Sequence, residues 1–173
     1  MNFINLIIAG IEIPIDASHT INQSYEALAS SSILRMANGA GQKQTIWTGK
    51  ARISTNSNSR LPPAILALDY TASFSMSCVA PLSVYSASIA IILPANNRTD
   101  ISVSAYAIVN GRAVRTPIQS WAGSTATVLA VTAATSYMAV YYPTFTVLAQ
   151  AAPTVVSDAR SGLGSWSLIV EQV

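Results

Sequence analysis

Charge is scarce in this chain. Lysine, arginine, aspartate and glutamate make up 9% of its 173 residues, against roughly a quarter in an ordinary soluble domain. None lies between Arg115 and Asp158. Charges and their hydration keep proteins apart, so a surface this sparse belongs to a subunit covered by copies of itself or by partners, not to a free monomer. Histidine is nearly missing as well. His19 is the only one, so a Ser-His-Asp triad would have to be built on it, and adjacency to Asp16 and Ser18 does not supply triad geometry. One histidine and one cysteine are too few for a structural zinc site. The seven acidic residues show no spacing that suggests paired carboxylates for glycoside hydrolysis. No enzyme is expected, and no catalytic residue, metal or cofactor is assigned.

Other shortages narrow the class further. The single cysteine, Cys78, excludes an intrachain disulfide and reads as a small buried hydrophobe in an alternating apolar run. Seven Arg and two Lys give a net charge of +2 but never form a run, so specific nucleic-acid binding is not expected. The segment Gly39-Ala40-Gly41-Gln42-Lys43 lacks the register of a phosphate loop and lies in a hairpin pattern. The apolar opening MNFINLIIAGIEIPID has no basic flank and is interrupted by Glu12, so it reads as mature structure instead of a signal. The uncharged stretch from Thr116 to Ser157 is broken by Pro117, Gly123 and Pro143, which excludes a membrane helix.

What is present is a β-protein's vocabulary, with Ala, Ser, Thr, Val and Ile dominant. Asn5 to Ile8 and Ile11 to Ile15 read as a hairpin across Ala9-Gly10. Ser18 to Leu28 fits a short helix or a strand. Asn38-Gly39 marks a second hairpin, between Ile33–Met36 and a long run through Trp47 to Thr55, and Asn110-Gly111 marks a third, between Ile101–Val109 and Ala113–Ile118. Pro62-Pro63 marks a sheet boundary, followed by one helical turn or a strand over Ala64 to Tyr70. Further strands are expected at Phe74–Cys78, Ala87–Leu93, Thr125–Thr132, Tyr137–Leu148 with a break at Pro143, and Trp166–Val173. In the last, Trp166, Leu168 and Val170 share one face. Trp47, Trp121 and Trp166 lie in or beside strands and read as core or interface packing. About ten short strands with turn residues between them predict an all-β antiparallel sandwich or barrel-like fold with at most one short helix. Residues 1–173 read as one β-domain.

The segment from Ser32 to Tyr70, SILRMANGAGQKQTIWTGKARISTNSNSRLPPAILALDY, presents in order an apolar-Arg-Met, an Asn-Gly turn, a Trp-x-Gly strand, a Pro-Pro and a Leu-Asp-Tyr. In this it resembles the distal tail proteins of long-tailed bacteriophages, as the opening strand pair and the closing SWSLIVEQV do more loosely. The resemblance implies a structural virion protein of the tail tip (baseplate), made in the host cytoplasm. It would form a homo-oligomeric, hexameric ring that joins the tail-tube protein to the tail hub or fibre proteins. Arg35, Asn38, Gly39, Trp47, Arg52, Arg60, Tyr70, Asn110 and Gly111 are the expected interface residues. A tail-tube, tail-terminator or capsid-decoration subunit and a non-viral surface binding module are the alternatives.

Overall fold

A computed structural model describes residues 4–13, 20–59, 64–158, 160 and 163–173. Fifteen strands follow one another along these residues. They begin with β1 (Leu6–Ile8), β2 (Ile11–Ile13), β3 (Thr20–Arg35), β4 (Gly41–Ser59) and β5 (Phe74–Ser77). Next come β6 (Leu82–Ser86), β7 (Ala90–Ile92), β8 (Ser104–Val109), β9 (Arg112–Thr116) and β10 (Ile118–Ala122). The series ends with β11 (Thr125–Val128), β12 (Ala134–Tyr141), β13 (Thr144–Ala149), β14 (Thr154–Asp158) and β15 (Leu163–Gln172). The only helical element among the described residues is a 3-10 turn over Ala64–Ala67. The protein is all-β, in antiparallel sheets that do not close into a barrel. Of Ser18–Leu28, readable either way, the described part from Thr20 is strand, because β3 gains a full-length partner in β4.

The chain folds as two compact units. One comprises Ser77–Phe145 with the chain up to Leu6; the other comprises Ile7–Met76 and Thr146–Val173. The first is a β-sandwich. A three-stranded sheet, β10-β11-β7, and a four-stranded sheet, β6-β12-β8-β9, turn their apolar faces onto one core. Ile91 and Val128 come from one sheet, and Ala105, Ala107, Ala139 and Tyr141 from the other. The alanines let the layers approach, and the aromatic rings fill what remains. The β8–β9 turn has positive φ at both Asn110 (50°) and Gly111 (76°), the two-residue hairpin geometry that Asn-Gly favours. Arg98 is buried among loops of this unit. Its Nη1 donates to the carbonyls of Asn5 (2.9 Å) and Cys78 (3.0 Å), while Nε and Nη2 grip Asp100 at 3.0 and 2.6 Å. Buried arginine stays charged, so it needs every one of these acceptors.

The second unit is built on a sheet ordered β2-β1-β5-β13-β15-β4-β3, with β14 also against β15. Its buried face is written in the register of β4 and β15: Ile53 lies opposite Val170, Thr55 opposite Leu168, and Ser57 opposite Trp166, and all six are buried. The predicted alternation of β15 holds here. Three strands were not legible in the sequence, β6, β10 and β14. Each starts next to a proline, Pro81, Pro117 and Pro153, and each holds only short apolar runs.

Candidate assembly interface

The hairpin of β3 and β4 outgrows the sheet that carries it. The strands pair from Thr20↔Asn58 to Arg35↔Gly41, but β15 accompanies β4 only over Arg52–Ser59. Beyond the Leu28↔Lys50 pair the ribbon has no third strand among the described residues, and every residue from 31 to 49 is exposed. This arm is about 25 Å long at the usual strand rise. A two-stranded ribbon in water is marginal when left alone. This one also carries Ile33, Leu34, Met36, Ile46 and Trp47 in the open, with Ile46 at 81% and Ile33 at 67% exposure. Its nineteen residues present on the order of 1,000 Å² of surface by chain-mass scaling, more than the roughly 800 Å² each partner gives to a standard stable interface.

Register assigns the arm's two faces. Ser31↔Thr45, Ile33↔Lys43 and Arg35↔Gly41 alternate with Ser32↔Gln44 and Leu34↔Gln42, and directly opposed residues share a face. One face is therefore Ile33 flanked by the cations Arg35 and Lys43. The other is Leu34 flanked by glutamine amides, with Trp47, opposite Ser30, on the same side. Apolar residues on both faces break the clean alternation of a strand with one buried side.

The arm bends at its root. Ile46 stands unmatched between Thr45 and Trp47, and Thr48 with Gly49 faces Ala29 alone, so two β-bulges interrupt the ladder. Gly49 sits at φ +83°, a conformation that other residues adopt only under strain. The tip is a three-residue loop, not the two-residue turn seen at Asn110-Gly111. The Gly39 amide donates to the Met36 carbonyl (2.8 Å) and the Met36 amide to the Ala40 carbonyl (2.9 Å), while Gly39 takes φ +81°. Asn38 Oδ1 accepts from the Ala40 amide at 3.0 Å, so asparagine and glycine each close part of the loop.

Of the expected interface residues, the arm brings together Arg35, Asn38, Gly39 and Trp47. Arg52 lies at its base within the sheet, facing Glu26 on β3 and Glu171 on β15 directly across the strands. It bonds them at 3.0 and 2.9 Å, and Gln150 Nε2 adds a 2.6 Å bond to Glu171. The Arg52 and Gln150 bonds hold the Glu171 carboxyl below the usual carboxylate range, and the same pairing raises Arg52. Arg52 is thus committed to its own chain. Asn110 and Gly111 are exposed at a hairpin tip of the sandwich unit, and Arg60 lies outside the described residues.

Tyr70 belongs to a second feature, next to the 3-10 turn. Its hydroxyl donates to the Ile65 carbonyl at 2.6 Å, and its ring meets Phe74 edge-on at 5.7 Å. Burial pushes its phenol upward. Ile65 is buried and Leu66 is 58% exposed. Asp69 Oδ1 accepts from the Thr71 hydroxyl (2.6 Å) and amide (2.9 Å), bonds that keep its carboxyl below the ordinary range. Sequence reasoning named Tyr70 but not Leu66 or Asp69, and on the arm it missed Ile33, Leu34, Met36 and Ile46. Mixed polarity over Ser30–Gly49, with apolar residues at both odd and even positions, was the available signal.

Comparison with protein-family models, curated proteins and solved structures gave no match. Among the described residues no three His, Cys, Asp or Glu side chains gather as a metal site would require.

Proposed function

We propose that this chain is a structural assembly protein whose arm joins it to further copies of itself. In the specific form given by the sequence resemblance, it is a distal tail subunit of a long-tailed bacteriophage, ringed between the tail tube and the hub or fibre-bearing tip. One observation carries the reading: residues 31–49 form a ribbon exposed on both faces and loaded with five large apolar side chains. Such a surface is characteristic of a protein contact. The segment that resembles the phage proteins, Ser32–Tyr70, contains almost all of this arm together with the Leu-Asp-Tyr that follows it. An arm and its acceptor on different parts of one chain repeat head to tail, and such contacts close into rings when the rotation permits. The role involves no chemistry: affinity comes from apolar burial and from pairing at open strand edges.

The test is mass in solution. The purified chain is expected to sediment as a closed oligomer and to show rings in negative stain. A variant in which Ala29–Gly49 is replaced by Asn-Gly is expected to stay folded and monomeric. Trp47→Ala is expected to weaken the rings more than removal of any one charge. A full-length chain that remains monomeric at high concentration, or an armless one that assembles normally, overturns the reading.

A further inference from the structure

We infer that the arm's cationic face docks, in a neighbouring copy of the chain, on the patch formed by Leu66 and Asp69 beside Tyr70. This rests on the assembly reading above and names the acceptor it needs. The first argument is charge. No acidic residue lies between Glu26 and Asp69, so the arm carries cations only. Arg35 and Lys43 have no carboxylate partner among the described residues. Arg35 reaches only the Gly39 carbonyl, at 3.4 Å. In contrast, Glu26 and Glu171 are engaged by Arg52, and Asp100 by Arg98. Asp69 is bonded to Thr71 alone among the described residues, through one oxygen, which leaves Oδ2 open at the surface.

The second argument is shape. On the arm, Ile33 and Lys43 stand directly across from each other on one face, with a bare glycine, Gly41, next to them. On the patch, an exposed Leu66 lies three residues before Asp69, on a turn fixed from below by the Tyr70 bond to Ile65. Ile33 on Leu66 and Lys43 on Asp69 satisfy both complementarities at once. The two Thr71 bonds hold the acceptor in place before the parts meet, so little ordering is lost on that side of the contact. Because Asp69 stays ionised through the neutral range, the contact weakens with salt and not with modest acidification.

The experiment is a charge swap read by sedimentation at fixed salt, with circular dichroism as the check on folding. Asp69→Lys and Lys43→Asp are each expected to raise the concentration for half-assembly about tenfold or more, since a like-charge contact is set up at every interface. Combined in one chain, they are expected to restore assembly to within about threefold of the original. Asp69→Asn, which retains an oxygen for Thr71, separates charge from turn geometry and is expected to weaken assembly less than Asp69→Lys. Folded single mutants that assemble normally, or a double mutant that is not rescued, overturn the inference. If the armless chain is monomeric while Asp69→Lys still forms rings, only the acceptor is wrong. If the armless chain forms rings, the assembly reading falls with it.

Discussion

The two halves of the β3–β4 hairpin are made of the same two strands and differ in everything that surrounds them. At the root, residues 20–28 and 50–59, β15 adds a third strand and one face is covered. Ile53 and Thr55 are buried, and Gln23 Nε2 donates to Thr55 Oγ1 at 3.1 Å. About 25 Å along the same ribbon at the usual strand rise, Ile46 and Ile33 are exposed, with no third strand beside them among the described residues. Composition does not separate the halves, since both mix β-branched residues with Ser, Thr, Asn and Gln. What separates them is burial on a neighbour, which supplies most of a sheet's stability. The root finds its neighbour within the chain, and under the proposed function the arm finds it in another copy.

The comparison breaks most sharply on matched substitutions. Ile53→Ala empties a fully buried site opposite Val170 and should cost about 2–5 kcal/mol in urea unfolding. Ile46→Ala removes the same atoms from the arm and should change the stability of the dilute chain by no more than about 0.5 kcal/mol, while weakening assembly. Equal losses in unfolding would show that the arm packs on its own chain. Gly49→Ala comes next. At φ +83° with open space around the site, the added methyl meets no clash, and its cost, about 1–2 kcal/mol, is backbone strain. Relief of that strain should straighten the bulge, so the change is expected chiefly in assembly and only weakly in the melting of the root.

The Asn38-Gly39 hairpin and the closing strand were legible in the sequence, while Thr20–Leu28 stood open to helix or strand and the length over which the hairpin runs without a third strand could not be read, for a physical reason. Alternation such as Trp166, Leu168, Val170 records a buried face inside the chain, and both Asn-Gly pairs record positive φ, so the sandwich hairpin and the closing strand could be read directly. Under the proposed function, Ser30–Gly49 is matched to a surface outside the chain, and its apolar residues follow neither a period of two nor a single face. The low charge is spread over the whole chain and names no place where a partner would attach. Arg52, expected at an interface, has its partners within the chain, since register places Glu26 and Glu171 on either side of it, and no sequence spacing shows that pairing. Asp69 was passed over because a lone carboxylate has no signature until the carboxylates elsewhere are seen to have partners.

Acid sharpens the same contrast with the smallest effect. Glu171 at the root is held below its ordinary value chiefly by Arg52, and Asp100 in the sandwich by Arg98. A carboxyl whose value is lower in the folded state adds stability above its unfolded value, and loses it as pH falls through the folded one. Stability is therefore expected to hold from neutrality to about pH 5 and to decline below about pH 4. The decline should be shallower in Glu171→Gln and in Asp100→Asn. The arm contains no carboxylate at all, so its own amides have nothing to titrate. Hydrogen exchange on the unsubstituted chain, diluted until it is monomeric and corrected for intrinsic rates, should show protection at Glu26–Leu28 and Ala51–Ile53 falling with acid. Over Ser31–Arg35 it should stay low and constant. Arm amides that lose protection in step with the root would mean that the ion-pair row at Arg52, and not the absence of a neighbour, governs the whole hairpin.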